Sequence, residues 1–99
     1  MLQHIVMMKL KAVAAELKKE RLEKLASLLN DLKNHIPALV KMEVGMNFST
    51  RPTAMDLVLS SSFKDEVGLE EYRVHLKHVE VLTYIKEVVE EARVVDYWV

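Results

Sequence analysis

The hydrophobic and polar positions of residues 2–10 alternate with a period of two, which predicts a β-strand. One face of this strand consists of Leu2, His4, Val6, Met8 and Leu10. The opposite face is also partly apolar, because it carries Ile5 and Met7. Apolar residues on both faces indicate a central strand that is covered on both sides.

From residue 14 to residue 36 the apolar positions repeat with the period of a helix. They form a single stripe opposite a charged face, and the stripe consists of Leu22, Leu25, Leu29, Leu32 and Ile36. Pro37 cannot continue a helix and also disfavours helical geometry in the residue before it. We therefore expect this helix to end at Ile36.

Three further segments have the composition of strands. Residues 40–48 place alternate apolar residues on one face, and residues 55–63 are apolar enough for an internal strand. The turn sequence "STRPT" separates these two segments. Residues 93–99, "RVVDYWV", are dense in β-branched and aromatic side chains, which favours a fourth strand.

The segment 66–91 has a helical pattern that changes direction, and Asp65 is a plausible N-cap before it. Its first half buries one sector, made of Leu69, Tyr72, Leu76 and Val79. Its second half buries roughly the opposite sector, made of Val81, Leu82, Ile85, Val88, Val89 and Ala92. One straight helix would bury opposite sides in its two halves, so the pattern predicts a kink or break near residues 76–80.

The predicted order β-α-β-β-α-β is that of an α+β, ferredoxin-like domain with a four-stranded antiparallel sheet, spanning residues 1–99. Two helices cover only one face of such a sheet. The first and third strands are rich in apolar side chains, at His4, Val6, Met8, Leu57, Leu59 and Phe63. We interpret this apolar surface as an interface. It predicts a C2 homodimer whose sheets pack face to face into an α+β barrel; the alternative is a monomer with one wet face.

Composition excludes several classes of function. The 99 residues are 51% hydrophobic and 29% charged, which is typical of a folded domain. A formal net charge of −1 gives no basic field for nucleic acid or for an anionic membrane. The absence of cysteine excludes disulfides and thiolate metal sites. No signal-peptide pattern or long apolar run is present, so we expect a cytoplasmic protein.

The stretch "YRVHLKH" (72–78) gathers one tyrosine and two histidines within seven positions. These rings are compatible with a helix surface, a metal site or an acid–base pair. A neutral imidazole is a suitable base for a carbon acid, since its ordinary pKa is about 6.5. A phenol is a suitable donor to the enolate or alkoxide that then develops.

The whole chain resembles the stress-responsive A/B barrel (Dabb) domain family of dimeric α+β barrels. The matching pieces are "HIVMMKLK" (4–11), "LKNHIPAL" (32–39), "GMNFS" (45–49), "DLVLSSSF" (56–63), "LEEYRVHLKHV" (69–79) and "VVDY" (94–97). The resemblance implies the same fold, a homodimer, and a small pocket in each protomer for a hydrophobic or poly-ketone ligand. It implies a stress-response protein without a demonstrated activity or, alternatively, a cofactor-free polyketide cyclase acting by aldol condensation.

In the cyclase branch of that family the working pair is similar to Tyr72 and His78, with His78 as base and Tyr72 as donor. A first-strand histidine that matches His4 shares their pocket. The resemblance further suggests three residues that line the pocket: His75, Leu57 and Leu29. Two positions depart from the pattern, because the family usually has proline at position 76 and the cyclases a polar residue at position 57. The structural alternative is that Tyr72 and His4 are core residues and that His75 and His78 lie on a helix surface.

Two metal sites are also compatible with the sequence. On an unbroken helix, Glu71, His75 and His78 would face one way and suit zinc. Some relatives hold a magnesium-like ion on backbone carbonyls after the first helix, which would match Lys33, Ile36 and Leu39. A further alternative, a monooxygenase-like member of the barrel superfamily, has least support because no matching Asn–Trp–His set is present.

Overall fold

A computed structural model describes all of residues 1–99. Its elements in chain order are β1 (Leu2–Leu10), α1 (Ala15–Asp31), β2 (Lys41–Met46), β3 (Leu57–Phe63), α2 (Glu66–Val74), α3 (Leu76–Val88) and β4 (Val89–Trp98). A short 3₁₀ turn, Leu32–Asn34, follows α1. The predicted order is confirmed, with the second helical segment divided into α2 and α3. None of these helices has the length and apolarity needed to cross a membrane.

The four strands form one antiparallel sheet in the order β2-β3-β1-β4. β1 and β3 are therefore central, as their apolar content predicted, and β2 and β4 are the edges. Leu2 of β1 lies opposite Phe63 of β3, and His4 of β1 lies opposite Asp96 of β4. The strand order and pairing confirm the ferredoxin-like arrangement.

The core lies between one face of the sheet and the three helices. Fourteen buried side chains form a single cluster there, and its centre includes Leu25 and Leu29 of α1, Phe63 of β3 and Tyr72 of α2. The even-numbered residues of β1 face this core, because side chains alternate along a strand. The stripe predicted for the first helix is thus its buried side.

The six side chains from which the sequence predicts a dimer interface lie on the covered face of the sheet. Six side chains were expected to make the sheet too apolar for water, and all of them face the helices: His4, Val6, Met8, Leu57, Leu59 and Phe63. The open face is mixed. It carries Ile5, Met7 and Val58 beside Ser60 and Glu43. Any interface on the open face therefore depends on a smaller apolar set.

Two predicted boundaries are wrong by four or more residues. The first helix ends at Asp31 rather than Ile36, because the chain tightens into the 3₁₀ turn. Ile36 still bonds back to Leu32 and stays buried, which explains why the stripe continued. The last strand begins at Val89 rather than residue 93, since nine of its ten residues pair with β1, and these include part of the predicted helical stripe.

Candidate functional site

The break predicted in the second helical segment is present at His75, one residue before the expected interval. Its backbone is extended (φ −61°, ψ 137°), so α2 ends at Val74 and α3 begins at Leu76. The His75 side chain is the N-cap of α3, because its Nδ1 accepts the Lys77 N–H at 3.1 Å. A histidine cap therefore accompanies the break that proline usually enforces in the family.

The break brings two of the predicted site residues together. On a continuous helix Tyr72 and His78 would point about 120° apart. In the structure their ring centroids are 4.3 Å apart. The His78 ring reaches back across the break, where Nδ1 lies 3.0 Å from the carbonyl oxygen of Arg73. The two rings thus lie side by side, whereas on a continuous helix they would diverge.

These rings line a cavity of about 230 Å³ between the helices and the covered face of the sheet. Its wall is mostly apolar, and its polar members are His4, Tyr72, Arg73 and His78. Leu29 also lines it, in the place suggested for it. Such a pocket, apolar with a few convergent polar groups, is typical of a small-molecule site.

The Tyr72 hydroxyl is buried without a partner. The residue is only 1% exposed, and its Oη is the one buried side-chain polar atom that no protein group meets within hydrogen-bonding distance. Burial raises the pKa of this phenol, so it stays protonated. A purely structural tyrosine would be expected to reach a backbone carbonyl. This tyrosine lines the cavity, and its hydroxyl has no partner in the protein.

The His78 imidazole is held in the form that suits a base. Burial lowers its pKa most strongly, and the charges of His4, Arg73 and His75 lower it further, against the opposing hydrogen bond to Arg73. A neutral ring whose Nδ1–H donates to the Arg73 carbonyl has a lone pair on Nε2. At neutral pH His78 is therefore an uncharged proton acceptor.

His4, which belongs to β1, lines the cavity from the side of the sheet. Its ring lies 6.2 Å from the Tyr72 ring and 6.5 Å from that of Phe63, both edge-on. Its Nδ1 is 2.5 Å from Oδ1 of Asp96. The antiparallel pairing of β1 with β4 places Asp96 opposite His4.

Two suggested pocket residues lie elsewhere. His75 is occupied as the cap of α3. Leu57 belongs to the core and borders a second cavity, of about 320 Å³, at the β2–β3 end of the open face. Leu59, two positions along β3, lines the cavity of the rings instead. The register of β3 against β1 explains this difference, since Leu59 pairs with Val6 and Leu57 with Met8.

The structure contradicts one of the two suggested metal sites and does not test the other. No three His, Asp or Glu side chains gather in a way that would hold a metal ion. The break separates Glu71, His75 and His78, so the zinc alternative is wrong. A cation on the carbonyls of Lys33, Ile36 and Leu39 stays a prediction; one of those oxygens, that of Ile36, already accepts the Leu39 N–H at 3.1 Å.

Comparison with known proteins places the chain. The family model of the stress responsive A/B barrel domain matches residues 2–99. A search of the curated proteins found no match. Among solved structures, a dimeric protein of unknown function from Bacteroides fragilis, with a ferredoxin-like fold, superposes with a TM-score of 0.91 at 27% identity. That match covers 99% of this chain and 95% of the other.

Two further structures share the fold at lower identity. A Dabb family protein from Mesorhizobium loti has a TM-score of 0.71 at 21% identity, covering 99% of this chain and 95% of that one. The hydroxynitrile lyase from Passiflora edulis has a TM-score of 0.84 at 15% identity, covering 99% and 92%. The family model, which spans nearly every residue, is the decisive match: this chain belongs to the stress-responsive A/B barrel (Dabb) domain family.

Proposed function

We propose that this chain binds a small carbonyl compound in the cavity of the rings and catalyses proton transfer on it without a cofactor, as an aldol cyclase does. The observation that carries the proposal is the buried, unpartnered hydroxyl of Tyr72. A buried donor left without an acceptor is costly, and native structures seldom keep one without a role. A ligand oxygen at the cavity wall would satisfy it.

The chemistry follows from the two rings. Tyr72 donates a hydrogen bond to the oxygen of a ligand carbonyl, where negative charge develops. His78 takes the proton at Nε2 from the carbon between two carbonyls, and the electron pair of that C–H bond becomes an enolate. The enolate carbon attacks a third carbonyl farther along the same molecule, because the two carbonyls that flank it are already bonded to it. The resulting alkoxide takes the proton back from the imidazolium, so both rings end as they began.

The apolar surroundings support the same steps. The wall of the cavity is mostly apolar, and in such surroundings the hydrogen bond from Tyr72 to a developing oxyanion is worth more than in solvent. The lowered pKa of His78 keeps the ring ready to accept a proton at neutral pH. The steps require neither a metal ion nor an organic cofactor.

The volume of the cavity restricts the ligand. About 230 Å³ equals the liquid volume of about eight water molecules, at ~30 Å³ each. A long poly-ketone chain would have to leave part of its length outside the cavity, so we favour a short substrate that still carries three carbonyl groups.

Deuterium exchange tests the proposal directly. Pentane-2,4-dione in deuterated buffer loses its methylene protons when a base removes them, and the loss is followed by NMR. We expect exchange above the buffer rate with the native protein, and a rate at least about tenfold lower after Tyr72→Phe or His78→Gln. Tyr84→Phe is the matched control, because the Tyr84 ring lies under Lys24 outside this cavity. Equal, buffer-level rates in all four proteins would leave a binding pocket without catalysis.

We also propose that two copies associate through the open faces of their sheets. Two observations support this. Phe48, just beyond β2, is 97% exposed and borders the apolar 320 Å³ cavity together with Met7, Met46 and Val58. The related structure from Bacteroides fragilis is described as dimeric. Exposed apolar side chains beside a concave apolar surface are typical of protein interfaces.

Light scattering after gel filtration measures the association. At micromolar concentration we expect the mass of a dimer for the native chain and a shift towards the monomer for Phe48→Asp, since a buried, unpaired charge opposes association. Val67→Asp on the exposed side of α2 is the control and should leave the mass unchanged. A native protein with the mass of one chain would refute the dimer.

The lack of cysteine is compatible with a reducing cytoplasm, and the cytoplasmic location stays a prediction.

A further inference from the structure

The His4–Asp96 contact has no part in the function proposed so far. The two residues face each other on neighbouring strands, His4 on the central β1 and Asp96 on the edge strand β4. Nδ1 of His4 is 2.5 Å from Oδ1 of Asp96, a distance that requires a hydrogen bond between them. The His4 side chain is 13% exposed and that of Asp96 42% exposed, so the carboxylate is more open to solvent than the ring.

This hydrogen bond selects one tautomer of the ring. An ionised carboxylate only accepts hydrogen bonds, so Nδ1 of His4 carries the proton and donates it. Nε2 then has the free lone pair, and the ring lines the cavity. The groups that face His4 are the Asp96 carboxylate from β4, Tyr72 from α2 and, across the cavity, His78 from α3, together with the apolar ring of Phe63 from β3.

The two imidazoles of the cavity differ in what supports them. The Nδ1–H of His78 donates to a neutral backbone carbonyl, that of Arg73. The Nδ1–H of His4 donates to a carboxylate. When a ring takes up a proton, a carboxylate partner offsets the new positive charge directly, whereas a carbonyl offers only its dipole.

We infer that Asp96 is a positioning residue, which holds His4 with Nε2 free and makes it a second proton acceptor of the cavity beside His78. In this step His4 Nε2 takes a proton from the carbon acid, and the C–H electron pair remains as the enolate. Asp96 stabilises the imidazolium, and the proton then returns to carbon or to the alkoxide. The inference rests on the proposed function for its catalytic part and on geometry alone for the tautomer.

The tautomer is tested without any substrate. The ¹⁵N chemical shifts of the His4 ring distinguish protonated from unprotonated nitrogens. We expect the native protein to carry the proton on Nδ1, and Asp96→Asn to move it to Nε2, because the amide of the variant offers N–H donors to Nδ1. Asp31→Asn is a matched control. Its carboxylate meets His35 on the surface at 3.0 Å, so this change should leave the His4 signals in place. An unchanged tautomer in Asp96→Asn would overturn the positioning role.

Proton exchange of pentane-2,4-dione tests the catalytic part. In His78→Gln we expect a residual rate above buffer, carried by His4. Adding Asp96→Asn to that variant should lower the residual rate at least about tenfold, and adding Asp31→Asn should not. A residual rate that survives Asp96→Asn, or no residual rate at all, would exclude His4 as an acceptor. If the native protein shows no exchange, the proposed function fails, while the ¹⁵N shifts still decide whether Asp96 sets the tautomer.

Discussion

Replacing Tyr72 with phenylalanine separates stability from function at one oxygen atom. The native hydroxyl has lost its hydrogen bonds to water and has gained none from the protein. Leaving a buried polar group unsatisfied costs about 1–3 kcal/mol. The phenylalanine ring keeps the contacts that Tyr72 makes with Phe63 and His78, whose ring centroids lie at 5.2 Å and 4.3 Å. We therefore expect Tyr72→Phe to be more stable than the native protein, although most substitutions destabilise.

The expected gain is measurable. For a domain of this size each 1 kcal/mol raises the melting temperature by about 4–8 °C. Ligand-free protein is unfolded by heat and by urea, and the urea midpoint should rise without a change in slope. Tyr84→Phe removes a hydroxyl that is not buried and should change stability by less than about 0.5 kcal/mol.

The same variant should lose exchange activity, so stability and activity move in opposite directions. That opposition is typical of a group kept for function. A Tyr72→Phe protein that is less stable than the native one by 1 kcal/mol or more would show that the hydroxyl has a stabilising partner. In that case the phenol is structural, and the reasoning that makes it a donor to a ligand is refuted.

Three further results are expected. The exchange rate should fall at low pH with a midpoint below about 6.5, because protonation removes the base and burial lowers the pKa of His78. Burial raises the pKa of Tyr72, so this residue should cause no loss of rate on the alkaline side below pH 10. An acid midpoint above about pH 7 would contradict the role of His78 as the base. Leu76→Pro should raise the free energy of unfolding in urea by about 0.4–1 kcal/mol, because residue 76 is the first residue of α3 and the extended backbone of His75 before it suits proline. A lower free energy of unfolding would show that the break has another cause. Asp56→Ala should lower the free energy of unfolding by about 1–3 kcal/mol, because the Asp56 carboxylate accepts the Leu10 N–H at 2.8 Å and pairs with Lys18 at 2.9 Å. An unchanged urea midpoint would show that these contacts do not contribute to stability.

Local patterns predicted the fold well because each element buries one regular face. The alternation of β1 and the stripe of α1 follow directly from side-chain periodicity. The rotated stripe also predicted the break, and hence the meeting of Tyr72 with His78. The start of β4 was missed for a physical reason. Its first residues, such as Val89 and Ala92, continue the helical pattern but pair with β1. A local pattern carries no information about pairing with a strand that is distant in sequence.

From the residues themselves, the candidate site was predicted only where its parts are close in sequence; His4 and Leu29 were placed in the pocket by the family resemblance. The Tyr72–His78 pair spans one helix break and leaves a local trace. The His4–Asp96 pair joins residues 92 positions apart, and only the register of β1 against β4 brings them together. Leu57 was assigned to the pocket in place of Leu59 for the same reason. Contacts that depend on the register between strands could not be predicted from the spacing of residues along the chain.

The position of Asp96 on an edge strand also bears on how the molecule responds to heat. Edge strands have one unpaired side, so β4 is expected to fray before the central strands separate. Fraying would remove the carboxylate from His4 while the hydrophobic core of α1 and β3 persists. The share of proton exchange that His4 carries should then be lost on warming while most of the circular dichroism remains, and it should recover quickly on cooling. In refolding, His4 would acquire its partner late, after the contacts of short sequence separation have formed.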